Sequence, residues 1–247
     1  MSDVALAEAV RAGDPDRFWP TMAAPAALRD LLWPVYAVNL QIARAPWASD
    51  QPLLAEMRLQ WWIDGLAAPP QGDAPADLRA LWSRGAPVAA ALHGVAQARR
   101  GDCWAEPFAD ARDLMDYLDQ TAGNVAWAAG LSLGAGPADQ AALRAHGRAQ
   151  GLASYLRAAA ALARRGRNRL VSLSAGNLAD LAQQALAERR SARLPAPLRA
   201  AAFPGALAVP ILSQAARDPA LIEAGGLSLS EFRRRAILAR LALTGRP

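Results

Sequence analysis

Apolar residues recur along this chain at three- and four-residue steps, punctuated by proline and glycine, and the pattern predicts helices almost throughout. A short helix over residues 5–11 stops at Gly13-Asp14-Pro15. Residues 26–44 form the next, with Pro25 near its first turn and Pro34 inside it as a kink. Asp50 caps a helix over 52–66, which ends in the run Ala67-Ala68-Pro69-Pro70-Gln71-Gly72. Helices over 75–84 and 87–100 follow. Gly101-Asp102 then opens a loop to Pro107, and a further helix reaches about Gly130. Gly134 to Pro137 is a turn before the longest helix, 139–165. Residues 166–176 read as a loop and 178–190 as a helix. Residues 195–217 read as a helix interrupted by prolines, and 229–243 closes the chain.

The inward faces follow from residue size. Trp33, Tyr36, Leu40 and Trp47 fall on one stripe, and Leu59, Trp62, Ile63 and Leu66 on another, which predicts core. The alanine face over 153–163 predicts a central helix approached closely by several neighbours. Composition strengthens this picture. With 53% hydrophobic and 20% charged residues in 247, disorder is excluded for most of the length. Alanine, leucine and arginine, all strong helix formers, dominate. No composition break or repeat divides the chain. The expectation is an all-α, single-domain helical bundle over 1–247, its core spanning about 14–245.

Charge and cysteine content narrow the chemistry. All 27 basic residues are arginine, and the net charge is +5. They are spread along the chain among 22 acids and lack the interleaved aromatics that would stack bases, so no nucleic acid partner is expected. The same charges would suit an anionic membrane surface or a diphosphate. A single cysteine, Cys103, excludes an internal disulfide, and Cys103 without a nearby histidine is a poor nucleophile. His93 and His146 are too few for a histidine metal centre. The opening Met-Ser-Asp-Val-Ala-Leu-Ala-Glu lacks the features of a secretory signal, and no apolar run reaches spanning length unbroken. A cytoplasmic protein is expected, with peripheral association at the inner face of the cytoplasmic membrane left open.

Four segments in register resemble one family. The run Leu32-Trp33-Pro34-Val35-Tyr36-Ala37-Val38-Asn39 resembles the tyrosine-alanine opening of the squalene and phytoene synthases, and Glu56 to Trp62 their following helix. Leu114-Met115-Asp116-Tyr117 with Thr121-Ala122-Gly123-Asn124 is similar to their central helix. Gly151 to Arg157, followed by Arg165-Gly166-Arg167, is similar to their glycine-to-arginine stretch and the loop after it. The resemblance implies the isoprenoid (terpenoid) synthase fold. It also implies a reaction in which two isoprenoid diphosphates are joined after an allylic C–O bond ionises. In such a reaction magnesium, held by carboxylates on two facing helices, grips the departing diphosphate.

Both halves of that clamp are missing. The family's first acidic positions correspond to Ala43, Arg44 and Trp47, and its second cluster falls within the alanine, leucine and arginine of 157–166. An arginine there repels the ion it should bind. The pattern resembles a divergent branch of the family that includes the mitochondrial complex I assembly factor with a synthase-like fold. Met57-Arg58-Leu59-Gln60-Trp61-Trp62 and Leu156-Arg157-Ala158 carry that likeness. It implies a catalytically degenerate protein without cofactor: an accessory factor in respiratory complex assembly, partnered by a complex subunit, or a factor that binds an isoprenoid or lipid.

The alternative is a true magnesium-dependent prenyltransferase using a displaced cluster at Asp110, Asp113 and Asp116. Steps of three turn by about −60° on a helix, however, and smear those groups across a face. As ligand contacts the sequence offers Tyr36, Asn39, Tyr117 and Tyr155 lining a central cavity, with Arg44, Arg157 and Arg167 reaching an anionic head. The same tyrosines suit a core, and the same arginines suit ion pairs. Trp61 and Trp62 project about 100° apart, so one of them is a candidate for contact with a partner or a membrane.

Overall fold

The first helix stops at Gly13 as the punctuation predicts, and Asp14 and Pro15 at once begin a second one. In the computed structural model, which describes residues 3–247, α1 (Asp3–Gly13) is followed at once by α2 (Pro15–Thr21). The opening Met1-Ser2, part of the targeting reading, lies outside the described residues. The Asp14 carboxylate accepts from the Arg17 backbone N–H at 3.1 Å, and Pro15 occupies the first helical position, where its missing N–H costs nothing. Read as a breaker, Pro15 hid this helix.

Four helices follow the hydrophobic pattern closely: α3 (Ala26–Arg44), α4 (Pro52–Ala67), the short α5 (Ala76–Trp82) and α6 (Ala86–Ala98). Asp50 does not cap α4, whose N-cap is Gln51 without a side-chain bond. The expected loop at Gly101-Asp102 is instead a short helix, α7 (Arg100–Trp104), closed by Ala105 in the left-handed conformation at φ 53°. Next, α8 (Ala111–Leu118) runs through a π-helical turn at Asp119–Gly123 into α9 (Asn124–Ser132). The long central helix α10 (Gln140–Arg164) and α11 (Ala175–Ser191) follow. The proline-interrupted stretch divides into 3₁₀ turns at Ala196–Leu207 and α12 (Ala208–Arg217). Two further helices, α13 (Ala220–Ala224) and α14 (Glu231–Thr244), finish the chain. Among the described residues no strand occurs.

Two apolar clusters hold these helices. One joins α1, α3, α4, α6 and α9 through Leu6, Leu32, Leu59, Leu92 and Val125; the other joins α8, α10, α11 and α12 through Leu114, Leu152, Leu156, Leu181 and Leu212. Each leucine so buried contributes about 1.5–3 kcal/mol relative to exposure. The small residues of α10 let it approach the π-helical turn closely. A Cβ at Gly147 would press on the Ala122 carbonyl and lie 2.8 Å from the Gly123 Cα. The stretch Ala196–Arg217 is long and apolar enough to cross a membrane, but 72% of its apolar window is buried within the protein, where it serves as core.

His146 on α10 is buried and reaches the Ala192 carbonyl at 3.0 Å through Nε2, while Nδ1 has no partner. Burial, and secondarily the Arg189 charge, push its pKa from 6.5 down to about 4. The folded state therefore holds the neutral ring where the unfolded chain takes up a proton. The stability this provides is present above pH 6.5 and is lost as pH falls through about 4. Urea titrations across that window should show stability falling by up to about 1.4 kcal/mol per pH unit. His146→Gln should flatten that dependence; an unchanged slope would assign it elsewhere.

Candidate functional site

A cavity of about 380 Å³ opens between α2, the end of α3, α7, α8, α10 and the loop after α10. The period of α10 brings Gly151, Ser154, Tyr155, Ala158 and Leu162 to it on one face. Asn39 and Ala43 of α3 arrive one turn apart, and Trp47 extends the row from the 3₁₀ turn Ala45–Trp47. The π-helical turn contributes Thr121 and Ala122, while Leu207, Ala208 and Ile211 make an apolar wall.

The polar end is built around Asp102. Its Oδ1 accepts from Arg169 Nη1 at 2.6 Å, and its Oδ2 accepts from the Tyr117 hydroxyl at 2.8 Å and from Arg99 Nη1 at 3.1 Å. The Arg169 guanidinium lies over the Phe108 ring at 4.0 Å and the Tyr117 ring at 5.0 Å, and its Nε donates to the Glu106 carbonyl at 2.6 Å. Tyr155 packs edge-on against Phe108 and Tyr117. Burial first, and the Asp102 charge second, hold the Tyr117 and Tyr155 phenols well above their ordinary pKa, so both stay protonated. Cys103, buried beside them, has its thiol pushed up to about 11 by the same two causes, which leaves it unreactive.

At the other side Asp14 holds Arg17 at 2.9 Å, and that guanidinium stands 5.0 Å over the Tyr36 ring. Asp16 bridges Arg157 of α10 and Arg234 of α14. Burial alone would raise the Asp16 pKa, but the two guanidinium hydrogen bonds outweigh it and keep the carboxyl below its ordinary value. Five guanidinium groups thus line the cavity (Arg17, Arg99, Arg157, Arg167, Arg169) against three carboxylates (Asp14, Asp16, Asp102). Arg167 is the one cation of the five without a carboxylate partner among the described residues: it donates to the Asp102 backbone carbonyl at 3.0 Å and lies 5.2 Å from the Trp47 ring. Asn39, buried in the wall, leaves its Oδ1 without a partner.

Of the residues singled out from the sequence, Asn39, Tyr117, Tyr155, Arg157 and Arg167 line this cavity. Two others do not. Tyr36 is packed behind the wall, where burial pushes its phenol up to about 12, and Arg44 faces a separate groove on the outer side of α3. Trp62 turns inward at 8% exposure, so of that pair only Trp61 is available to a partner. The acidic row on α8 does not converge. Asp110 caps the helix by accepting from the Asp113 N–H at 2.8 Å, Asp113 accepts from the Ala109 N–H at 3.0 Å, and Asp116 points out toward Arg112 at 3.8 Å. None of the three lines the cavity.

Sequence reasoning missed Asp102, Arg99, Arg169, Asp16 and Arg17. Arg169 carried a usable signal, since no acid lies within a helical turn of it and a buried guanidinium needs one from elsewhere.

A profile of the family described as squalene/phytoene synthase matches residues 10–202. Comparison with curated proteins gives no match. Among solved structures, a crystal structure of a dehydrosqualene synthase in complex with ligand is similar at a TM-score of 0.65 and 15% identity, covering 97% of this chain and 94% of that one. At that identity the likeness establishes the all-α isoprenoid synthase fold.

Proposed function

This chain belongs to the squalene/phytoene synthase family, and on that premise we propose that it holds an isoprenoid-like anion in its cavity without transferring a prenyl group. The observation that carries the reading is the chemistry of the lining. Ala43 and Trp47 from α3 and its 3₁₀ extension, and Ala158 and Leu162 from α10, face the cavity where a magnesium clamp would need oxygens. The carboxylates that are present, Asp14, Asp16 and Asp102, each already answer a guanidinium. A divalent cation would have to displace an arginine to reach any of them. The donor set therefore does not suit magnesium, and no ionisation step is routed through it.

What remains is a polar end rich in guanidinium, opening on an apolar wall. Arginine forks suit phosphate oxygens, and Leu207, Ala208 and Ile211 suit a hydrocarbon chain. The Tyr117 and Tyr155 rings are held rigid by Phe108 and Asp102, so the polar end is preorganised. The role in respiratory complex assembly implied by the Met57–Trp62 and Leu156–Ala158 runs is a natural setting for a member of the family that binds without turnover.

The test is direct. Purified protein incubated with farnesyl or geranylgeranyl diphosphate and magnesium should yield no squalene- or phytoene-class product. The same diphosphates should bind with magnesium removed by EDTA. Product formation would overturn the absence of transfer, and failure to bind would overturn the ligand reading.

A further inference from the structure

Helix α4 leaves a row of large apolar side chains in solvent. Leu53, Met57 and Trp61 follow one another at four-residue steps and are 62%, 62% and 47% exposed, with Leu54 beside them at 49%. The row borders a groove of about 620 Å³ between α4 and the end of α3, whose lining includes Arg44 and Arg58 and no acid. Both arginines are exposed, and neither makes an ion pair or side-chain hydrogen bond among the described residues. Of the acids of α4, Glu56 is turned to Arg100 at 2.8 Å and the Trp104 indole N–H at 3.0 Å, and Asp64, exposed beyond Trp61 and outside the groove, accepts from Gln60 at 2.6 Å. Trp61 is braced edge-on against the inward Trp62 ring at 4.9 Å, so its outward position is fixed by packing.

We propose that this face of α4 docks on an anionic phospholipid surface. Leucine and methionine supply a row that can enter the acyl boundary, and Trp61 supplies an aromatic anchor of the kind favoured at head-group level. Arg44 and Arg58 meet lipid phosphates from the flank, with stems long enough to follow the surface. Charge complementarity selects the occupant, since two unpaired cations flank the row and no carboxylate lines the groove beside it. The position has a consequence for the cavity. The last turn of α3 and the 3₁₀ turn after it present Arg44 and Ala45 to the groove and Ala43 and Trp47 to the cavity, so a docked membrane lies within about one helical turn of the cavity wall.

The experiment is vesicle flotation of the full chain, with no cavity ligand added, so its outcome is independent of the function proposed above. The chain should float with phosphatidylcholine vesicles containing phosphatidylglycerol, weakly with phosphatidylcholine alone, and less as salt is raised. Met57→Ser with Trp61→Ser should lower partitioning more than about tenfold. Arg44→Gln with Arg58→Gln should lower it roughly tenfold and abolish the preference for phosphatidylglycerol. Phe232→Ser with Leu243→Ser, which removes exposed apolar groups of α14, should leave partitioning unchanged. Far-ultraviolet circular dichroism identifies any variant that has failed to fold, and the arginine pair is the second route should the Met57 and Trp61 pair do so. No flotation with phosphatidylglycerol vesicles, or equal flotation of folded α4 variants, would overturn the proposal. So would a dimer in solution that the same α4 substitutions dissolve, since the face would then belong to a second copy of the chain.

Discussion

Asp102→Ala should lower the free energy of unfolding by about 3–5 kcal/mol, the cost of leaving buried cations without their counter-charge. Three donors converge on that carboxylate, and the side chains of Asp102 and Arg169 are each only 11% exposed. Removing the carboxylate strands both Arg99 and Arg169 and also takes the acceptor from the Tyr117 hydroxyl. Asp102→Asn, which keeps one oxygen acceptor but no charge, should fall between the wild type and alanine. The reference substitution is Asp116→Ala. There the carboxylate is 72% exposed, its Arg112 partner is 89% exposed, and the expected change is within about 0.5 kcal/mol. Urea denaturation of the three variants checks the order. An Asp102→Ala protein as stable as Asp116→Ala would mean that water or rearranged side chains solvate the two guanidinium groups, and the rigid polar end would lose its basis.

The contrast between these two aspartates also shows where the sequence is legible. Helical period and punctuation place α3, α4, α6, α10 and α11 within a few residues, because each buries one stripe of large side chains and ends at glycine, proline or a charged turn. The family-like runs mark Asn39, Tyr117, Tyr155 and Arg157, which lie on helices whose register the same stripes determine. Asp102 is different. It lies in a five-residue helix with no hydrophobic period to read, and its importance arises from Arg169 and Tyr117, far away in the sequence and near only in the fold. Arg17 and Asp16 were hidden in the same way, behind a proline that local rules allow either to break a helix or to begin one. Arg44 failed for a geometric reason. It follows Ala43 by one residue, and about 100° of helical rotation carries it from the cavity to the outer groove.

That rotation leaves Arg167 as the cavity's uncompensated cation, and reversing its charge should weaken anion binding more than any other single substitution in the lining. The side chain donates only to backbone carbonyls, those of Asp102 at 3.0 Å and Cys103 at 3.5 Å, and lies over Trp47, the residue standing where the family's first acidic cluster would end. Arg17, Arg99, Arg157 and Arg169 each share their charge with an aspartate, so an incoming phosphate must compete for them; Arg167 offers its remaining donors without that competition. Arg167→Glu removes one attraction and adds one repulsion at a site partly shielded from water. The expected loss is about 3 kcal/mol, or roughly a hundredfold in affinity. Titration calorimetry with inorganic pyrophosphate in EDTA at low salt reads it, and Arg167→Gln should lose roughly tenfold. Arg58→Glu, on the outer groove, carries the same change in net charge and should cost little, which separates a local contact from the field of the whole protein. Equal losses for Arg167→Glu and Arg58→Glu would show that pyrophosphate responds to overall charge alone, and the cavity would then have no claim to be the site where the anion is held.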